Sequence, residues 1–199
     1  ISAKLSQLTD FLKTLKPDIK ALYYSDTGPL MEKVLAQKAG LGWIGKNTNL
    51  INTKKGSYFF VGCILTDLDL KYDKMESDHC GTCRKCIDAC PTGAIVEPYQ
   101  LNSSKCISYL TIEYRGEKIP KTFKGKFEGW VFGCDICQEV CPWNCFATES
   151  NELLPIIDHE IDIEKWKSIS EEEFKNIFKS SPIKRAKHKG FLRNLDFVS

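Results

Sequence analysis

The stretch HCGTCRKCIDACPTGAI (His79 to Ile95) sets Cys80, Cys83, Cys86 and Cys90 at x2, x2 and x3 spacings and closes them with Pro91. In such a run three neighbouring thiolates hold one 4Fe-4S cluster, while the cysteine before the proline reaches across to a second cluster. A second run is therefore required, and GCDICQEVCPWN (Gly133 to Asn144) supplies it in reduced form as Cys134-x2-Cys137-x3-Cys141-Pro142. One cysteine of the full run is missing, which leaves one cluster a ligand short, and Cys106 is the replacement the chain offers. Crossing the ligands assigns Cys80, Cys83, Cys86 and Cys141 to one cluster and Cys90, Cys106, Cys134 and Cys137 to the other, so both counts close at four.

Paired CxxC motifs also build tetrahedral zinc sites. Zinc leaves the two Cys-Pro endings and the interlocking three-plus-one spacing without a reason, so iron–sulfur is preferred. Cys63 and Cys145 are left over, the first as a small residue of an apolar strand and the second just outside the run. Ten cysteines in 199 residues would suggest disulfides in a secreted protein. Eight of them stand at metal-ligand spacings, however, and no basic leader with an apolar segment opens the chain. The longest apolar run, Tyr58 to Leu65, is far short of the roughly 20 residues a membrane helix needs. A reducing cytoplasm and no membrane are expected. A net charge of +2 with pI near 8.0 points neither toward nor away from nucleic acid. Transfer of single electrons between closely spaced clusters is the minimum function.

Outward from the cysteines the pattern changes. Toward the N-terminus, Leu5, Leu8, Phe11, Leu12 and Leu15 recur at helical spacing and Pro17 closes the segment. A strand is expected at Ile19 to Tyr24, then a turn at Asp26-Thr27-Gly28-Pro29, and a helix from Pro29 to about Lys38 ended by Gly40 and Gly42. The aromatic and β-branched stretch Ser57 to Leu65 predicts a buried strand beside the first. Toward the C-terminus, Asp162 to Trp166 and Ser170 to Lys179 predict helices, the second opened by a Ser170/Glu173 capping box. The expected fold is α+β: a partial α/β unit (1–73), a bacterial two-cluster ferredoxin-like module (74–150) and a helical C-terminal tail (151–199). The chain opens on Ile1 rather than Met, which points to sequence ahead of it.

Beyond the cysteines, SDTGPLMEK (Ser25 to Lys33), KAGLGWIGKNTNLI (Lys38 to Ile51), KCISYLTIEY (Lys105 to Tyr114) and both cysteine segments together resemble the epoxyqueuosine reductases. The resemblance spans nearly the whole chain. It implies a cobalamin-dependent oxidoreductase that takes the epoxide of epoxyqueuosine, at the wobble position of a tRNA anticodon, to the alkene of queuosine with loss of water. Residues 1–73 then become a cobalamin-binding unit, and the clusters a relay from an external electron donor to the corrin. By motif match Asp26 is the acid that protonates the departing oxygen, Lys46, Asn47 and Leu50 are cobalamin contacts, and Ser108 and Asp135 approach from the cluster side. The family also carries further N-terminal sequence, and many members continue into a helical-repeat region that residues 151–199 would begin. A monomer is expected.

Taken on their own, Asp26 is a good turn residue and the glycines of Gly40 to Gly45 serve a tight loop equally well. Two basic runs, Lys184-Arg185 through Arg193 and Arg115 through Lys126, are ordinarily solvated faces and beside a tRNA site become phosphate contacts. Trp130, Phe132 and Trp143 are more readily packing and sulfur-shielding residues than base-stacking ones. Two other readings stand: a two-cluster electron carrier without its own substrate site, recognisable by failure to bind cobalamin, and a cobalamin-dependent reductive dehalogenase, recognisable by its substrate.

Overall fold

A computed structural model describes residues 1–148 and 163–199 of the chain. The described residues divide into two compact units, Ile1–Cys83 with Cys141–Ala147, and Arg84–Val140 with Thr148–Ser199. The division expected at residue 73 thus falls later, because residues 74–83 and the segment after Cys141 fold with the first unit. Asn144 shows why: its Oδ1 accepts from the Ser57 backbone N–H at 2.6 Å, and its Nδ2 donates to Ser57 Oγ at 2.9 Å. The expected boundary at 150/151 lies outside the described residues.

In the first unit, α1 (Ser2–Leu15) packs on β1 (Ala21–Tyr24). The turn after β1 occupies residues 25–30, so Pro29 lies within it and α2 starts later than expected, at Glu32, ending at Lys38. A Schellman arrangement closes α2: the Gly40 N–H donates to Gln37 O and the Leu41 N–H to Ala36 O, with Gly40 at φ +70°. A short antiparallel pair follows, β2 (Trp43–Ile44) with β3 (Leu50–Ile51), which the sequence did not signal. Trp43, Leu50, Ile51 and Ala36 are buried.

The strand expected from Ser57 to Leu65 is shorter. Only β4 (Cys63–Thr66) forms, antiparallel to β1 in register Ala21↔Thr66 to Tyr24↔Cys63. The partner is the expected one, but β4 is not a buried strand: Leu65 is exposed, as are Tyr58 and Phe60 ahead of it. A strand with one neighbour in a two-stranded sheet has little to bury its faces against.

The second unit begins with α3 (Lys85–Asp88), then the hairpin β5 (Ile95–Glu97) and β6 (Gln100–Leu101), α4 (Ile107–Ile112) and α5 (Ile136–Glu139). Its described C-terminal part is α6 (Ile163–Lys167), α7 (Glu171–Ile177) and α8 (Lys187–Val198). The capping box at α7 is present, with Ser170 N–H to Glu173 Oε2 at 2.9 Å and Glu173 N–H to Ser170 Oγ at 3.2 Å. Ile169, Phe174, Phe178, Phe191 and Leu195 form one core cluster, and Ile107, Leu110, Ile119 and Phe127 another.

The C-terminal helices are built into the cluster segment instead of forming a separate tail. Arg193 donates to the carbonyls of Leu110, Tyr114 and Gly116 at 2.7 to 3.0 Å, closing the C-terminal end of α4. Beside it the fully buried Asn194 donates from Nδ2 to Thr111 O at 2.8 Å and Val131 O at 2.9 Å. Asn194→Ala leaves two carbonyls without donors and is expected to cost at least about 2 kcal/mol. Thermal unfolding of the cluster-loaded protein should show a Tm lower by roughly 4 to 8 °C; an unchanged Tm would remove Asn194 from the account of how these elements are held.

Candidate metal centre

The second unit contains the four cysteines expected to share one cluster. Cys90 follows α3, Cys106 immediately precedes α4, Cys134 lies in the loop before α5, and Cys137 sits on α5, which packs against α3. Burial pushes the Cys137 thiol up to about 12, helped by the charges of Cys134, Cys106, Cys86 and Cys90. Cys134 is pushed up to about 11, by burial first and then by Cys106, Cys90 and Asp135, against the lowering effect of an Ile136 backbone hydrogen bond. The thiols that the spacing grouped are therefore close enough to oppose one another's ionisation. Burial also raises Cys90, but hydrogen bonds from the Ile95, Ala94 and Thr92 backbones and the Thr92 side chain outweigh it and lower that thiol overall. Cys134 and Cys137 would need bound cations to be held as thiolates, a condition a cluster meets.

What brings Cys106 to the Cys134 loop is not in either cysteine motif. Thr111, fully buried on α4, donates from Oγ1 to Ile107 O at 2.7 Å and accepts from the Gly133 N–H at 3.0 Å. Its own carbonyl accepts from Asn194. One threonine thus joins the helix that follows Cys106 to the residue that precedes Cys134.

In the first unit, Cys80, Cys83 and Cys141 form a second group. Burial raises Cys141, and the charges of Cys80 and Cys83 add to it. Cys86 belongs to the second unit, on α3. Lys46 is nearly closed to solvent and donates from Nζ to Gly81 O at 2.5 Å and Cys83 O at 2.9 Å, inside the loop between the first two cysteines. Trp43 is fully buried, with Nε1 at 3.5 Å from Cys80 Sγ. Its ring meets His79 edge-on at 4.9 Å and Trp143 at 5.2 Å between centroids. Among the described residues, no three or more His, Cys, Asp or Glu side chains gather as a single ion requires. A cluster differs, because each of its four irons takes one thiolate.

The remaining expected site residues are placed as follows. Asp26 is exposed in the turn after β1 at φ +65°, a left-handed conformation that Asp tolerates better than most side chains. Asn47 and Leu50 are buried, and Asn47 Oδ1 accepts from the Asn49 N–H at 3.1 Å. Ser108 on α4 and Asp135 before α5 are half-buried in the second unit, with Asp135 Oδ1 accepting from Gln138 Nε2 at 2.6 Å. Gly42 serves an internal approach: a Cβ there would meet Ile51 O at 2.0 Å.

The basic runs are in good part internal. Arg193 and Arg115 cap carbonyls, Lys124 donates to Phe197 O, Lys184 to Lys179 O, and Arg185 pairs with Glu113. Exposed Lys118, Lys121 and Lys189, drawn from both runs, line one groove of about 740 Å³ floored by Ile119, Leu192 and Phe197. Trp130 packs against the Ile107 cluster.

Among known proteins, the 4Fe-4S double cluster binding domain matches residues 79–144. An epoxyqueuosine reductase of Cellulophaga algicola is 46% identical over 203 residues, covering 100% of this chain and 65% of that protein. One from Synechocystis sp. is 43% identical, covering 98% of this chain and 68% of that protein. A crystal structure of epoxyqueuosine reductase with an epoxyqueuosine-modified tRNA-Tyr stem loop superimposes with TM-score 0.91 at 38% identity, covering 99% of this chain and 52% of that one. The chain thus spans about half of that solved chain and 65% of the Cellulophaga relative. Among the described residues, no helix is long and apolar enough to cross a membrane.

Proposed function

The chain belongs to the epoxyqueuosine reductase family, and on that premise we propose that the protein it forms part of reduces the epoxide of epoxyqueuosine in tRNA to the alkene of queuosine. The observation that carries this is the full two-run cysteine array with Cys106, set in a chain 43% identical to a named reductase across 98% of its length. Two electrons and two protons enter, and the epoxide oxygen leaves as water.

Cys90, Cys106, Cys134 and Cys137 would hold one 4Fe-4S cluster. Cys80, Cys83 and Cys141 would hold the other, with Cys86 as the fourth ligand by spacing. When bound, cobalamin would supply a reduced metal centre for epoxide reduction, and the clusters would supply electrons singly from an external donor. Beside the Asp26 turn, Leu22 on the strand before it and Met31 after it are exposed, apolar side chains that would suit contact with a corrin. Lys46, Asn47 and Leu50, buried within the first unit, would be the corrin contacts that the family resemblance implies. Ser108 and Asp135 would be the further corrin contacts that the family resemblance implies. Asp26 would give its proton to the departing oxygen. The reading places the protein in the cytoplasm, acting as a monomer.

The test uses the full-length protein loaded with both clusters and cobalamin, a low-potential reductant and epoxyqueuosine-containing tRNA. Queuosine should form; a fully loaded but inert protein would overturn the reading. The lysine groove would contact tRNA phosphates. Replacing Lys118, Lys121 and Lys189 together by alanine should then lower the slope of log affinity against log salt by about 2. An unchanged slope would return those lysines to the solvated surface.

A further inference from the structure

Trp43 and Lys46 both act on the loop that carries Cys80 and Cys83, and neither is a cysteine ligand. Trp43 is held rigidly. It pairs with Ile51 across β2 and β3, it is completely buried, and His79 and Trp143 pack on its ring. Gly42 allows this placement, since any side chain there would strike the Ile51 carbonyl. The indole N–H is thereby aimed at Cys80 Sγ, 3.5 Å away, within reach for the large sulfur acceptor. Lys46, only 9% exposed, spends two hydrogen bonds on Gly81 O and Cys83 O. Both partners are carbonyl oxygens of the loop, which fix the ammonium beside Cys80 and Cys83.

We propose that Trp43 and Lys46 are positioning residues that raise the reduction potential of the cluster held by Cys80 and Cys83. Reduction adds one electron from a one-electron donor and makes the cluster one charge more negative, with no bond made or broken. Part of that charge falls on the thiolate sulfurs, so an N–H aimed at Cys80 becomes a stronger, charge-assisted bond in the reduced state. A buried ammonium likewise favours the more negative state, because low-dielectric surroundings screen it little. The indole N–H keeps its proton throughout.

The inference rests on the cluster reading of Cys80 and Cys83 and not on the tRNA reaction. Iron and sulfide content therefore tests its premise separately. Redox titration of the loaded full-length protein, followed by low-temperature electron paramagnetic resonance, tests the inference itself. Trp43→Phe keeps an aromatic ring but loses the N–H. It should shift one cluster's reduction equilibrium toward the oxidised form by up to about tenfold, a midpoint about 59 mV more negative, and leave the other cluster's midpoint in place. Lys46→Gln should shift the same midpoint in the same direction, and Lys46→Arg should restore it. Fully loaded Trp43→Phe and Lys46→Gln proteins with both midpoints unchanged would overturn the proposal. If Trp43→Phe does not load, the wild type decides. With ¹⁵N-indole tryptophan, a nitrogen coupling in the reduced cluster signal that persists in Trp143→Phe supports the proposal, and its absence refutes it.

Discussion

Cys106→Ala is expected to remove close to one cluster's worth of iron and sulfide while leaving the spectrum of the other cluster intact. The effect is large because a cluster is held by all four of its thiolates together, and Cys106 stands alone, outside both compact runs. Its neighbours in space are known: the charges of Cys106 and Cys90 both act on Cys134, and Cys137 feels Cys134, Cys106 and Cys90. Without iron, burial holds Cys134 and Cys137 as thiols, and one missing thiolate leaves an iron of the cluster without its protein ligand. Electron delivery through that cluster stops, and reduction of the epoxide should fall to background. The measurement is iron and sulfide analysis of the full-length variant with electron paramagnetic resonance of the reduced protein. Retention of full iron would remove Cys106 from the ligand set and leave Cys90, Cys134 and Cys137 in need of another partner.

Asp26→Asn is expected to lower kcat/KM for epoxyqueuosine tRNA by roughly 10² to 10⁴, the usual contribution of a positioned general acid. Asparagine is the informative substitution. Asp26 sits at φ +65°, where Asn is tolerated about as well as Asp, so the turn should survive and only the transferable proton is lost. Cluster content, cobalamin binding and tRNA affinity should therefore remain as in the wild type. A variant within about threefold of wild-type kcat/KM would leave Asp26 as a turn residue only, since such a change is far below what loss of a general acid produces.

Much of the metal centre was legible in one dimension, because spacings of two and three residues set how closely consecutive thiolates can lie. The same holds for the capping box at Ser170 and Glu173, the end of α2 at Gly40, and the pairing of β4 with β1. Expectations failed where a partner distant in sequence decides. The strand from Ser57 was drawn too long because its apolar run meets only β1, and that at Cys63 to Thr66 alone. The helix expected from Pro29 begins at Glu32 because the Asp26 turn occupies the residues before it. Arg193 and Arg115 read as part of basic runs, yet they cap carbonyls that no local pattern reveals.

The contrast is sharpest around the two cysteine groups. The residues by themselves determined that seven cysteines stand in two compact runs with Cys106 apart from both, and the two crossed sets are the expectation drawn from that spacing. Only the tertiary structure decided what surrounds them. Thr111 and Asn194 tie the helix after Cys106 to the Cys134 loop through hydrogen bonds spanning 22 and 83 residues. Trp43 reaches Cys80 across 37 residues, and Lys46 reaches Cys83 across the same separation. A ligand is named by its element and spacing, but the field it sits in comes from groups that folding alone brings within reach.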